Sequence, residues 1–193
     1  MRYQAKQRIE RVAIFGSADL EQTDPVCQQA QEAARTLARK GYIIVNGGGP
    51  GVMEAATKGA AEASGQSLTV TFEPKDAPHF EGNSNNNIAT STMKGENYLQ
   101  RVGMLIENAD FFVIFKGGTG TLSEWGLVWL LAHIYRGHHK PFVLFGDFWY
   151  EVLEVIQKHF LIGDIEMSVF KVVNNVEEML TAMDDLMKEV KGV

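Results

Sequence analysis

Phe111-Phe112-Val113-Ile114-Phe115-Lys116-Gly117-Gly118-Thr119-Gly120-Thr121-Leu122-Ser123-Glu124 joins an apolar run to a glycine turn and an apolar helical segment. The run 111–115 has no polar alternation, so it predicts a strand buried on both faces. The turn lets backbone N–H groups approach a ligand without side chains in the way. A helix N-terminus that follows such a turn is a seat for phosphate. Thr119 and Thr121 add hydroxyl donors. With a helix read over 121–135, Glu124 falls in its first turn, about one turn from a bound phosphate. Phosphate donors beside a carboxylate point to chemistry on something attached to the phosphate, such as a sugar.

The same alternation runs in both directions from this stretch. Strands are predicted over 12–15, 42–45, 68–72, 111–115, 141–145 and 169–173. Helices are predicted over 25–40, 51–64, 94–109, 121–135 and 148–161, with Gly41 placed to end the first. A last helix carries one apolar stripe: Val176, Met179, Leu180, Met183, Leu186, Met187 and Val190. Continuous apolar strands alternating with helices give a Rossmann-like α/β fold, a three-layer sandwich around a doubly wound parallel sheet. Ligands in such sheets sit beyond the carboxyl ends of the strands, where the glycine turns lie. Residues 1–193 read as one domain, with a polar N-terminal segment 1–11 and a long polar loop 74–87. Loops of that length are often functional lids.

Composition narrows the function. Hydrophobic residues make up 45% and charged residues 22%, as in ordinary globular proteins. No apolar run reaches the roughly 18–20 residues of a membrane span, and no secretory leader is expected. The single cysteine, Cys27, excludes an internal disulfide and a cysteine-built metal site, so a reducing cytoplasm is expected. A net charge of −6 without a basic block argues against nucleic-acid binding.

Two further turns carry candidate site residues. Gly16 and Ser17 follow the first strand. Their smallness lets a ligand approach the sheet, and Ser17 can donate to a phosphate; short strand-to-helix turns use the same residues for packing alone. Gly47, Gly48 and Gly49 follow the second strand, ahead of Pro50 and Gly51. They read as backbone donors lining a pocket, or as tight strand-to-helix packing. Glu54 reads as an anion at the positive end of a helix. Arg101 flanks the buried stripe of its helix, and spacing alone favours a solvated arginine or a salt bridge. The turn at 117–120 is neither a P-loop nor GxGxxG, and no acid follows at the spacing that holds an NAD ribose. Lys116 alone is thin support for a pyridoxal-phosphate linkage, and its position at the strand end fits phosphate attraction as well. His133, His138 and His139 read as a polar exposed turn, with no metal site. The helix after the turn is apolar nearly all round, so a second subunit is expected to cover part of it.

Together these motifs resemble the Lonely Guy (LOG) family of nucleotide phosphoribohydrolases, often mislabelled lysine decarboxylase-like. The family pattern PGGxGTxxE resembles Lys116 to Glu124. Its second glycine run resembles Gly47 to Met53, and its early turn Gly16 to Ala18. Its helix arginine precedes an aspartate by nine residues, as Arg101 precedes Asp110. The resemblance implies hydrolysis of the N-glycosidic bond of a nucleoside 5′-monophosphate, such as AMP or a cytokinin riboside 5′-monophosphate. It implies Arg101 and Glu124 as the catalytic pair, no cofactor, and a homodimer with the site near the interface. Two positions depart from the family: Lys116 replaces a proline, and Val102 replaces the lysine of an Arg-Lys pair. The departure at Lys116 keeps a second reading in view, a non-catalytic nucleotide- or molybdenum-cofactor-binding protein.

Overall fold

The computed structural model describes residues 9–191, apart from 76, 78, 79 and 81. One seven-stranded sheet runs through it, in the order β4-β3-β2-β1-β5-β6-β7. The strands are β1 (Arg11–Phe15), β2 (Ile43–Asn46), β3 (Ser67–Thr71), β4 (Ser91–Lys94), β5 (Phe111–Ile114), β6 (Phe142–Phe145) and β7 (Phe170–Val173). Every neighbouring pair is parallel. In β5, the strand on which the sequence reading rests, no residue of the Phe-Phe-Val-Ile run is exposed at all.

Helices cover both faces. On one lie α1 (Pro25–Arg39), α2 (Val52–Glu62) and α7 (Val176–Lys191), packed on Val12, Ile14, Val113 and Val143. On the other lie α3 (Tyr98–Glu107), α4 (Thr119–Ile134) and α5 (Phe148–His159), packed on Ala13, Phe15, Phe112 and Leu144. A short α6 (Asp164–Met167) precedes β7. Strand residues alternate between the two cores because successive side chains point to opposite faces. The fold is the doubly wound, Rossmann-like one expected.

Local chemistry sets the helix ends. Asp24 caps α1 by accepting from the Val26 N–H at 2.8 Å, with Pro25 at the first helical position. Gly41, at φ +86°, closes the same helix as expected. Asn97 caps α3 through the Gln100 N–H at 2.9 Å. The helix read from 94 therefore starts at 98, because 91–94 is a strand that the reading missed. All four residues of β4 are exposed and three are polar, so no apolar run marked it. A short polar edge strand of this kind is one way sheets avoid edge-to-edge pairing.

The chain after β1 passes to α1 on one face, and the chain after β5 passes to α4 on the other. The two loops diverge and open a crevice between neighbouring strands, at the switch point where such folds bind ligands.

Candidate active site

Backbone hydrogen bonds tie the three turns together at this crevice. The Ser17 N–H donates to the Lys116 carbonyl at 3.0 Å, and the Val52 N–H donates to the Ser17 carbonyl at 2.9 Å. The main chain of Ser17 is therefore occupied by its neighbours on both sides. Its glycines serve close packing: a Cβ on Gly16 would lie 2.6 Å from Val52 Cγ1. At Gly51, φ is +62° and a Cβ would lie 2.3 Å from the Ser17 carbonyl oxygen. Ser17 Oγ accepts from the Asp19 N–H at 3.1 Å and keeps its own hydrogen to donate.

The third turn is arranged differently. Helix α4 begins at Thr119, two residues earlier than read, with Gly118 as an N-cap that supplies no side-chain bond. Residues 117–120 are exposed. The first N–H groups of a helix have no partner within it, and here they open toward the crevice. Thr121 is buried against the turn, with Oγ1 only 2.1 Å from where a Gly117 Cβ would stand. Starting at 119 also moves Glu124 into the second turn of α4. There it is 8% exposed, at the floor of the crevice.

Arg101 reaches that floor from α3 and is 2% exposed, so the structure corrects the solvated arginine that spacing favours. Its Nε donates to the Val70 carbonyl at 3.1 Å, and Nη2 to the Gly47 carbonyl at 2.9 Å. The guanidinium lies 5.7 to 5.9 Å from the ring centres of Phe72, Phe80 and Tyr98. Fixed donors and aromatic faces hold the charge in one place. A Cβ on Gly47 would stand 2.1 Å from Nη2, so that glycine makes room for the arginine.

Gly16, Ser17, Gly118, Thr119, Gly120, Thr121, Arg101 and Glu124 line one cleft. Gly47, Gly48 and Gly49 stand beside it and are not among its lining residues. Their carbonyls hold Arg101, the Ser84 N–H at 3.0 Å and Asn87 Nδ2 at 2.9 Å, in that order. The second turn thus anchors Arg101 and the loop before β4. Glu54, in the first turn of α2, accepts from Ser84 Oγ at 2.6 Å and fastens the same loop. Asp76, Pro78, His79 and Glu81 of that loop lie outside the described residues.

The cleft also holds residues that the sequence reading missed: Asp19, Met53 and Tyr98. Tyr98 Oη lies 3.0 Å from Ser123 Oγ and ties the start of α3 to the start of α4. Tyr98 stands three positions before Arg101, on the same helix face, and that spacing was the available signal. Asp19 follows the first turn directly. Lys116 does not line the cleft; its Nζ stands 5.7 Å from the Phe148 ring centre.

The histidines after α4 part company. His138 is exposed, as expected of a polar turn, but His139 is 6% exposed, which corrects that reading for it. Burial, with the nearby Arg136 charge, pushes the His139 imidazole down to about 4.

The sequence pattern of the SLOG cluster4 family matches residues 10–153, a span that contains the whole cleft. The cytokinin riboside 5′-monophosphate phosphoribohydrolase of Mycobacterium tuberculosis is 29% identical over 136 residues, covering 69% of this chain and 68% of that one. It bears out the resemblance read from the motifs. The crystal structure of TM1055 matches with a TM-score of 0.71 at 25% identity, covering 91% of this chain and 99% of that one. A molybdenum cofactor binding protein from the phototrophic bacterium Rippkaea orientalis shares the fold, with a TM-score of 0.67 at 20% identity over 94% of this chain and 99% of that one. On a match that spans all three turns, Arg101 and Glu124, the chain belongs to the SLOG cluster4 family.

Proposed function

We propose that the protein hydrolyses the N-glycosidic bond of a nucleoside 5′-monophosphate, releasing the free base and ribose 5-phosphate. The observation that carries this reading is the shared cleft: an uncapped helix N-terminus at its mouth, with Glu124 and Arg101 buried at its floor. The 5′-phosphate sits at the N-terminus of α4, on the N–H groups of the first turn and the Thr119 hydroxyl. This remote binding energy orients the sugar against the floor. As the C1′–N bond breaks, its electron pair leaves with the base and positive charge grows on the sugar carbon. The Glu124 carboxylate stabilises that charge and orients the water whose oxygen bonds to C1′. The water's proton balances the departing base. Arg101, fixed by two main-chain carbonyls, is a stationary positive charge that aligns the ribose or stabilises the base as it leaves.

The same reading includes a homodimer acting in the cytoplasm. On α4, Leu122, Leu130 and Ile134 are each more than half exposed, and Leu99 of α3 is 77% exposed. A second copy laid on these side chains removes apolar surface from water.

The test is product analysis. The purified protein is incubated with AMP, then with the other nucleoside monophosphates, beside a Glu124→Gln control. Free base and ribose 5-phosphate, absent with the control, support the assignment. Nucleotide binding without base release from any of them overturns it in favour of a binding protein.

A further inference from the structure

Asp19 is a carboxylate that the proposed reaction does not use. It lies in the first turn, lines the cleft and is exposed, whereas Glu124 and Arg101 are buried at the floor. Among the described residues its carboxylate makes no hydrogen bond or ion pair. Its backbone N–H donates to Ser17 Oγ at 3.1 Å, which fixes the loop that presents it.

The charges along the cleft have a direction. The floor carries Arg101 and Glu124, one of each sign. The mouth carries the exposed start of α4, residues 117–120, and one charged lining residue, Asp19. Lys116 is turned away over the Phe148 ring and does not line the cleft. In the first turn the Ser17 N–H is given to the Lys116 carbonyl and the Asp19 N–H to Ser17 Oγ. One cleft therefore sets the start of α4 and the negative charge of Asp19 at the same mouth.

We propose that Asp19 sets the phosphate number of the ligand. This rests on the reading above, in which the sugar carbon faces the floor and the 5′-phosphate lies at the mouth. A second or third phosphate then extends outward, past the helix N-terminus, to the place where Asp19 is the charged group. Among the described residues that line the mouth none is a cation, and like charges at close range disfavour the longer ligand. Asp19 is thus a specificity residue that turns away nucleoside di- and triphosphates, while the helix N-terminus holds the monophosphate.

The experiment measures binding by isothermal titration, in the Glu124→Gln background so that nothing turns over. AMP and ADP are titrated into that protein and into versions that also carry Asp19→Asn or Asp19→Lys. The ratio of the ADP to the AMP dissociation constant is expected to exceed ten with Asp19 present. It is expected to fall at least fivefold with asparagine and further with lysine. In 0.5 M salt the difference between the proteins is expected to shrink, because mouth charges are screened. Asp19 is exposed and its backbone N–H survives both substitutions, so unchanged thermal unfolding serves as the folding control. AMP binding with the same ratio in all three proteins overturns the role of Asp19 alone. No AMP binding in any of them overturns the reading of the cleft as a nucleotide site, and the role of Asp19 with it.

Discussion

Arg101 shows how far a single side chain departs from what its spacing suggests. On a helical wheel it lies at the edge of a buried stripe, a place that usually belongs to water. It is buried because the carbonyls of Gly47, just after β2, and of Val70, near the end of β3, accept from it, 54 and 31 positions back in the chain. Spacing along one helix carries no trace of partners so distant, so only the resemblance to a known family marked this residue. Arg101→Lys is expected to lower turnover about a hundredfold, because an ammonium lacks the planar fork that meets two carbonyls at once. Rescue of the rate by added guanidinium, in a glycine or alanine variant, would check that the missing group is the guanidinium. Gly47→Ala reaches the same end from the other side: a methyl 2.1 Å from Nη2 displaces the guanidinium. Steady-state kinetics of that variant are expected to show kcat reduced at least tenfold, with a smaller change in KM. His139 is a stability residue. Its pKa is about 6.5 in the unfolded chain and about 4 in the fold. Between those values the unfolded state binds a proton that the fold refuses, so stability falls as pH falls. Urea unfolding at pH 7 and pH 4.5 is expected to show about 2 kcal/mol more acid loss in the wild type than in His139→Leu.

Elements whose apolar pattern was strong were legible, and elements made by polar contacts were not. The runs at β1, β5 and β6 announced themselves because both faces of those strands are covered. β4 stayed hidden because its residues are exposed and its place depends on pairing with β3, including the Thr69 and Thr92 hydroxyls at 2.9 Å. The glycine turns were legible as a group, but their division of labour was not. One packs against α2, one anchors Arg101, and one opens a helix N-terminus, and the difference depends on which carbonyl meets which donor across the sheet end. Helix α3 is held at both ends, by the Asn97 cap and by Lys140. The buried Lys140 Nζ donates to the last-turn carbonyls of Ile106 and Glu107 at 2.8 and 3.2 Å. Lys140→Met is expected to destabilise the protein by about 1–3 kcal/mol, measured by urea unfolding, since those carbonyls lose a charged donor. Its effect on activity is expected to be smaller than that of Gly47→Ala, because the anchor of Arg101 at the other end of α3 is intact.

The whole molecule is a parallel sheet with one ligand end, and α4 runs from that end along exposed apolar side chains. The crevice opens where α1 and α4 leave the sheet on opposite faces, and Leu122, Leu130 and Ile134 are exposed along α4. The proposed homodimer forms through this exposed face of α4. Light scattering on the purified protein is expected to give twice the chain mass. Leu130→Glu with Ile134→Glu is expected to give the monomer, since two charges cannot be desolvated there without partners. The central claim is narrower than assembly: the cleft breaks a glycosidic bond, and Glu124 is the group that lets it do so. The most direct test follows adenine and ribose 5-phosphate release from AMP by chromatography, for the wild type and for Glu124→Gln. The account predicts both products from the wild type and at least a hundredfold less from the variant, which keeps the fold and still binds AMP. Equal release by the two proteins, or binding of nucleotides with no release by either, would contradict it.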